Sequence, residues 1–367
     1  MKWSWRMGSI AGIGIDIHAT FLILLVWAAL AQYQRYGTLE AAVGGVFLIL
    51  GVFDIVVLHE LGHALAARRY GIPTRRITLL PIGGVAELER MPDEPRQELV
   101  VAIAGPAVNV ALALIFSLLF VLTGAGSVPP PTEAGIVINR ATVLAMAIWI
   151  NLSLALFNLL PAFPMDGGRI LRALLAMRRG YAEATEIAAR VGKGFALLFA
   201  FVGLFFNPML VFIALFIWIG AAGETQATQL KSTLDSVPVE AIMITDILTL
   251  EVGDPLVRAV DHILAGFQED FPVLAGGRVV GLLTRSDLIR ALSAHGEDAP
   301  VELAMRREFQ IVGRDDLVGE AYTRFQGGQR TLPVLENGEL LGLLTLENIA
   351  EYIMIQNALS GAKVAAT

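Results

Sequence analysis

Cysteine is absent from the 367 residues of the sequence. This absence excludes disulfide bonds and thiolate ligands, so any metal site must be built from His, Asp or Glu side chains. Charge is also scarce, because only 17% of the residues are charged whereas 55% are hydrophobic, and the mean hydropathy is +0.65. Such a chain is too apolar for an ordinary soluble protein. The net charge of -7 argues against a nucleic-acid-binding protein, and we expect no nucleic-acid partner.

The hydrophobic residues are concentrated in long apolar runs before residue 224. A bilayer core of roughly 30 Å requires about 20 apolar residues per helix. The runs predict spans at 18–34, 41–66, 98–122, 140–160 and within 194–223, where Asn207-Pro208 marks a turn between two helices. The first run has no cleavage pattern of small residues after it, so we expect a retained span and not a signal peptide. The sequence thus predicts six membrane spans followed by a soluble region.

The distribution of Lys and Arg sets the orientation of these spans. Basic residues are concentrated after the second span and after the fourth, whereas the segment 123–139 contains neither Lys nor Arg. Both basic segments and both chain termini are therefore predicted to face the cytoplasm, in agreement with an even number of spans.

The motif His-Glu-Leu-Gly-His lies inside the second predicted span, at residues 59–63. On a helix this spacing places His59 and His63 one turn apart on the same face, where both can bind one zinc ion. The adjacent Glu60 can act as general base on a water that the metal activates. His59 precedes the basic Arg68 by nine residues, which is roughly 14 Å along a helix. The sequence therefore predicts a metal site below the membrane surface, where ionisable residues usually mark function.

A catalytic zinc ion requires a third protein ligand, and the candidates are His18, Asp54, Glu87 and Asp166. Asp54 is turned about 140° away from the His59 face of the helix, which favours a capping or inter-helix hydrogen bond. His18 lies at the end of a span, where a structural role is commoner. Asp166 is preferred because it follows the fourth span, on the same side as His59, among prolines and paired glycines that let the backbone approach a metal.

The segment 80–88 contains Gly83 and Gly84 and predicts an extended strand. Such a strand could offer its edge to an unwound peptide substrate, as in β-strand addition. A plain surface hairpin explains the same residues, and the sequence leaves both interpretations open.

Three motifs together resemble the site-2 protease family of intramembrane zinc metalloproteases. They are HELGH at 59–63, AGPAVN at 104–109 and NLLPAFPMDGGR at 158–169. The resemblance covers residues from about 10 to 222. No PDZ-like insertion interrupts the spans, which is similar to the compact branch of the family that carries C-terminal CBS domains.

The resemblance implies that His59, His63 and Asp166 bind one Zn²⁺ ion per chain and that Glu60 is the catalytic residue. It also implies that Asn158 lies near the scissile peptide, and Gly83 and Gly84 complete the expected substrate-binding residues. The expected location is the cytoplasmic membrane of a prokaryote, with membrane lipid and a transmembrane protein substrate as partners.

Residues 238–358 contain an internal repeat with a period of 61, in which FPVL at 271–274 aligns with LPVL at 332–335. Each copy predicts a short strand, a helix (255–267 or 317–327), two strands around a Gly-containing turn and a second helix. The pattern resembles a tandem CBS domain pair, a module that often binds adenine nucleotides.

In CBS domains a Thr and an Asp three residues later commonly hold a ribose. The resemblance therefore implies nucleotide-binding residues Thr284 and Asp287 in the first copy, and Thr345 and Asn348 in the second, where Asn replaces the Asp. ATP, ADP or AMP would be the ligand. A purely structural role for the pair and a homodimer through it are both left open by the sequence.

The predicted fold is a polytopic α-helical membrane domain of six spans followed by an α/β tandem CBS domain pair. The predicted limits are 1–223 for the membrane domain, 224–237 for a linker, 238–298 and 299–358 for the CBS domains, and 359–367 for a tail. The predicted function is zinc-dependent intramembrane proteolysis of membrane-anchored proteins, regulated through nucleotide binding.

Two alternatives belong to other classes: a CBS-gated membrane transporter or channel, and a catalytically inactive scaffold. A permeation path has no need for H-E-x-x-H with a Pro-flanked Asp-Gly. All four chemical residues are present, which disfavours the scaffold.

Overall fold

The computed structural model describes residues 3–81, 83–88, 92, 94–124, 139–266, 268–325 and 329–365. The chain divides into two compact units, Met1–Gln226 and Ala227–Thr367. This division falls inside the segment 224–237 that composition marks as a linker, while the individual domain limits stay predictions.

The first unit is built mainly from helices whose limits follow from local sequence. They are α1 (Ala19–Tyr36), α2 (Leu39–Arg68), α3 (Pro95–Leu122), α4 (Arg140–Asn158), α5 (Asp166–Ala176), α6 (Tyr181–Phe205) and α7 (Met209–Leu234). Thr38 caps α2 and Asn139 caps α4, each accepting a hydrogen bond from a backbone N–H group that the helix leaves unpaired. Asn207 accepts the N–H group of the first residue of α7, and Pro208 cannot continue α6. The predicted turn at Asn207-Pro208 is confirmed.

Five helices in the described part of the chain are long and apolar enough to cross a membrane, judged by length and composition. They are α2, α3, α4, α6 and α7. Helix α1 is shorter, with 18 residues, and Gln32, Gln34 and Arg35 make its last turns polar. Five apolar helices therefore agree with the predicted membrane domain, and the sixth span stays a prediction.

A four-stranded sheet lies against α2. It consists of β1 (Ser4–Ile10), β2 (Ile13–His18), β3 (Thr74–Leu80) and β4 (Gly83–Leu88), in that spatial order. Strands β2 and β3 are parallel, and the two hairpins are antiparallel. Ile77 and Leu79 of β3 are buried in one cluster with Phe53 and Ala64 of α2. The segment 80–88 thus belongs to a hairpin whose second strand forms an edge of the sheet, although Ile82 lies outside the described residues.

The second unit contains two copies of one α/β motif. The first copy has β5 (Leu250–Glu251), α8 (Leu256–Ala265), β6 (Phe271–Ala275), β7 (Arg278–Leu283) and α9 (Arg285–His295). The second has β8 (Val312–Gly313), α10 (Val318–Tyr322), β9 (Thr331–Glu336), β10 (Glu339–Thr345) and α11 (Leu346–Ala365). Each copy forms a three-stranded mixed sheet with one parallel and one antiparallel pair. The predicted order of elements is confirmed.

Two details of this unit differ from the expectation. Helix α10 ends at Tyr322, short of the predicted 327, and residues 326–328 lie outside the described part of the chain. Helix α11 continues to Ala365, through most of the segment predicted as a tail.

The cores of the two copies are interlocked. Leu234 and Val239, which precede the first strand of the first copy, are buried with Val334 in the core of the second. Conversely, Val301 and Met305, which precede the first strand of the second copy, are buried in the core of the first. Each core is therefore completed by the segment that leads into the other copy, so neither copy has a complete core alone.

Candidate metal centre

Three side chains that the sequence marks as metal ligands meet inside the first unit. His59 and His63 lie one turn apart on α2, and Asp166 is the first residue of α5. The Nε2 atoms of His59 and His63 are 3.1 Å apart, and Asp166 Oδ2 lies 3.1 Å from His59 Nε2 and 3.2 Å from His63 Nε2. All three residues are buried.

The spacing of these atoms fits one zinc ion. Zinc bonds of about 2.0–2.1 Å to nitrogen and oxygen place tetrahedral ligand atoms about 3.3 Å apart. Two imidazoles and one carboxylate are ligands that zinc accepts, and three protein ligands leave a fourth position open, as catalytic zinc sites require.

The outward nitrogens of both rings are fixed by hydrogen bonds. His59 Nδ1 lies 2.5 Å from Asn109 Oδ1, and His63 Nδ1 lies 2.7 Å from the Val101 carbonyl oxygen. Because both acceptors are oxygens, each Nδ1 carries the proton and each Nε2 keeps its lone pair for a metal. The Asn109 amide in turn donates to Asn151 Oδ1 over 3.0 Å. The rings are therefore held in the tautomer and orientation that metal binding requires.

A glycine on α3 makes room for the two rings. A Cβ atom at Gly105 would lie 2.3 Å from His63 Nε2 and 2.7 Å from His59 Nε2. No side chain fits at those distances, so the close approach of α3 to the metal ligands depends on glycine.

Glu60 lies between the metal ligands and the sheet. On a helix it points about 100° away from His59, and a Cβ atom at Gly84 would lie 2.9 Å from its Cγ atom. The backbone of edge strand β4 therefore passes directly beside the Glu60 side chain.

Sequence reasoning missed three residues of this centre: Gly105, Asn109 and Asn151. Gly105 and Asn109 belong to the motif at 104–109, which had no assigned chemical role. Asn151 is a polar residue in an apolar span, and that signal was available.

The rejected third ligands have other roles. His18 caps α1, with its Nδ1 2.8 Å from Thr20 Oγ1, so the structural interpretation of His18 is confirmed. Glu87 Oε2 pairs with Arg76 Nε over 2.9 Å.

Asp54 and Asn158 require separate comment. The expected capping or inter-helix hydrogen bond of Asp54 is wrong within the described part of the chain, where this exposed side chain has no partner and lines a cavity instead. Asn158 ends α4 and donates to the Leu154 carbonyl oxygen over 3.0 Å, so its side chain is at present engaged with its own helix.

Helix α5 is anchored by a buried arginine. Arg172 is 1% exposed; its Nε and Nη2 atoms lie 2.9 and 2.5 Å from Glu98 Oε1, and its Nη1 atom lies 2.5 Å from Glu224 Oε1. The guanidinium group also contacts the rings of Phe163 and Tyr181, 5.0 and 4.9 Å from their centroids. This ion-paired cluster ties α3 and α7 to the helix that begins with a metal ligand.

The residues expected to bind nucleotide lie at two helix starts in the second unit. Thr284 Oγ1 donates to Asp287 Oδ2 over 2.6 Å, and Asp287 also pairs with Arg306 (2.5 Å) and Arg290 (2.9 Å). Burial raises the pKa of Asp287, but hydrogen bonds from Arg306 and Thr284 outweigh this effect and hold its pKa below the ordinary value. The carboxylate is therefore charged at neutral pH and already engaged.

The second copy repeats the arrangement with an amide. Thr345 Oγ1 donates to Asn348 Oδ1 at the start of α11, and the Asn348 N–H group returns a hydrogen bond to Thr345 Oγ1. In both copies the Thr hydroxyl also accepts the N–H group of the residue three positions later, as the cap of a helix N-terminus does.

A bundle of membrane-length helices that buries two histidines and an aspartate beside a glutamate defines a membrane-embedded metal-dependent hydrolase. The family model for Peptidase family M50 matches residues 47–134 and 132–201, and the CBS domain model matches 239–294 and 301–355. The chain therefore belongs to the site-2 protease family, peptidase family M50, with a tandem CBS pair, and is a multi-pass metalloendopeptidase.

Individual relatives agree with this family. The chain is 31% identical over 356 residues to the zinc metalloprotease MJ0392 of Methanocaldococcus jannaschii, covering 97% of both chains. It is 31% identical over 162 residues to stage IV sporulation protein FB of Bacillus subtilis, covering 44% of this chain and 51% of that one. Among solved structures, a site-2 protease from M. jannaschii matches with 35% identity and a TM-score of 0.43, covering 61% of this chain and 95% of that one.

Proposed function

We propose that this protein hydrolyses peptide bonds within transmembrane segments of membrane-anchored proteins. The observation that carries the proposal is the convergence of His59, His63 and Asp166 in a bundle of membrane-length helices, with an edge strand beside Glu60. This arrangement combines a zinc site with a place for an extended peptide.

His59, His63 and Asp166 would hold one zinc ion, which supplies a Lewis acid that polarises a carbonyl group and acidifies water. Glu60 would accept the proton of the attacking water at its carboxylate and deliver it to the nitrogen of the leaving amine. Asn109 keeps His59 in its ligand orientation throughout.

An unwound substrate segment would pair with β4 as an added strand. Gly84 leaves the backbone of β4 close to Glu60, so a peptide on this edge would lie near the catalytic carboxylate. Asn158, at the end of α4, would hydrogen-bond the substrate backbone after release from Leu154.

Removal of the metal tests this function. The full-length protein should contain one zinc per chain by elemental analysis, because the described part of the chain brings one set of three ligands together. Treatment with 1,10-phenanthroline should stop cleavage of a fusion protein that carries a single transmembrane segment, and added zinc should restore it.

Two results would contradict the proposal. Cleavage by the metal-free protein would remove the metal from the mechanism. Transport of a solute through reconstituted protein, without cleavage of any membrane protein, would favour the transporter instead.

The proposed orientation follows the basic segments, with both termini in the cytoplasm of a prokaryotic cell. The CBS pair would then face the cytoplasm and would sense a cytoplasmic nucleotide.

Adenine nucleotide binding is the second proposed function. The arginines around Asp287 offer positive charge beside a Thr-x-x-Asp pair, the chemistry that a ribose and its phosphates require. Ribose hydroxyl groups must compete with Arg306 for the carboxylate, which predicts modest affinity.

Calorimetric titration of the full-length protein with ATP, ADP and AMP measures this binding. Asp287→Ala should lower the affinity at least tenfold at the first site, whereas Asn348→Ala should change only the second. Cleavage rates with and without the bound nucleotide then test regulation. If none of the three nucleotides binds, the CBS domain pair has only a structural role and the proposal of nucleotide binding is wrong.

A further inference from the structure

A cavity of about 740 Å³ lies between α1, α2, α3 and α4. It extends along α2 from Thr38 to Leu58, and Phe116 of α3 and Ile150 of α4 line its other walls. Its volume is within the range of about 300–1,000 Å³ that is typical of small-molecule sites. The mechanism proposed above makes no use of this cavity.

The charge of the cavity is of one sign. Asp54 and Glu40 line it, and no Lys, Arg or His does so among the residues that the structure describes. Asp54 lies near the middle of α2, is exposed to the cavity and has no hydrogen-bond or ion-pair partner in the described part of the chain. A carboxylate at this depth of a membrane-length helix is costly unless a cation or water accompanies it.

The cavity lies on the opposite side of α2 from the proposed substrate strand. Helical periodicity places Leu58, at the inner end of the cavity, about 200° around the axis from Glu60. Glu60 faces β4, so a molecule in the cavity would not occupy the place of the substrate peptide. The inner end is nevertheless adjacent in sequence to His59 on α2 and to Asn151 on α4, both members of the hydrogen-bond chain behind the metal ligands.

The volume of the cavity, its apolar walls and its negative charge together indicate which chemical class of ligand it can bind. An inorganic cation would leave most of the volume empty, and a phosphate-bearing lipid would bring negative charge to Asp54 and Glu40. An organic ammonium group satisfies the carboxylate, and the ring of Phe116 offers a face that attracts cations, whereas the Tyr36 ring already carries the Arg35 guanidinium group 5.4 Å from its centroid. The remaining walls, such as Ile150, suit an alkyl chain.

We propose that this cavity binds an amphiphilic amine, whose ammonium group pairs with Asp54 and whose alkyl chain lies along the apolar walls. The site is independent of proteolysis, because it uses no residue of the metal centre.

Photolabelling of the full-length protein in phosphatidylcholine nanodiscs tests this site. The probe is dodecylamine with a diazirine near the end of its chain, and mass spectrometry locates the labelled residues. We expect saturable labelling within 32–58, 112–116 and 143–150, and unlabelled dodecylamine should compete at a concentration where dodecanol does not. Asp54→Asn removes the charge at constant size and should weaken labelling at least tenfold.

Two matched variants test the location. Gly51 lines the cavity and Gly194 lies on α6, and a Cβ atom at either position would meet nothing within 4 Å. Gly51→Leu should weaken labelling at least tenfold, because its side chain projects into the cavity one helical turn from Asp54, whereas Gly194→Leu should leave labelling unchanged. Zinc content reports that each variant is folded.

Equal labelling of the wild-type and Asp54→Asn proteins would overturn the proposal, as would equal competition by dodecanol. Either result would make the cavity an ordinary lipid-filled crevice. If Asp54→Asn does not fold, the competition between amine and alcohol on the wild-type protein decides alone.

Discussion

Replacement of Glu60 by glutamine is expected to lower the rate of peptide cleavage about a thousandfold, within the range for loss of a general acid–base. Glutamine has nearly the shape of glutamate but cannot accept the proton of the attacking water. The proposed metal ligands His59, His63 and Asp166 are unchanged, so the variant should retain one zinc per chain. Cleavage of a transmembrane fusion protein and elemental analysis of the same preparation measure both quantities.

Glu186→Gln provides the control for this variant. Glu186 is an exposed glutamate on α6, four residues before its ion-pair partner Arg190, and its neutralisation should leave both cleavage and zinc content unchanged. Activity of the Glu60→Gln protein near the wild-type rate would defeat the assignment of Glu60 as the catalytic base.

Replacement of Gly105 by alanine is expected to lower zinc affinity at least tenfold and to reduce cleavage in parallel. The new methyl group would lie 2.3 Å from His63 Nε2 and 2.7 Å from His59 Nε2. The rings cannot simply move aside, because Asn109 and the Val101 carbonyl group hold their Nδ1 atoms. Zinc retained after dialysis against a competing chelator measures the loss.

Gly194→Ala is the matched control, since it adds the same methyl group to another membrane-length helix where nothing lies within 4 Å. This variant should retain wild-type zinc content and activity. A Gly105→Ala protein that keeps one zinc under the same dialysis would show that α3 can move away from the ligands.

The meeting of His59, His63 and Asp166 was predictable because each of these proposed metal ligands lies in a short motif with its own chemical logic. His59 and His63 share one helix face, and Asp166 follows a span that returns to the same side. The hydrogen bonds that hold the two histidine rings in place were not predictable in the same way. Asn109 is 50 residues from the ring that it orients. An asparagine in an apolar span indicates that a polar contact exists, but the sequence does not show which residue the contact involves.

The fold shows the same limit. The apolar runs predict the long helices, because length and hydropathy are local properties. The sequence did not predict strands β1 and β2, which precede the first span. Strand β2 is stabilised by parallel pairing with β3, about 60 residues later in the chain, and such a distant partner cannot be read from local sequence. The period of 61 likewise reveals two copies in the second unit but not the interlocking of their cores, in which Leu234 serves the second copy.

The Arg172 cluster limits where the protein can be divided. Composition suggests an end of the membrane domain at Gly223, yet the next residue, Glu224, is one of the two carboxylates that neutralise the buried guanidinium group. A shortened chain ending at Gly223 would leave Arg172 with Glu98 alone, in a setting where an incompletely paired charge is costly. A shortened membrane domain in which Arg172 keeps both of its carboxylate partners therefore has to include Glu224.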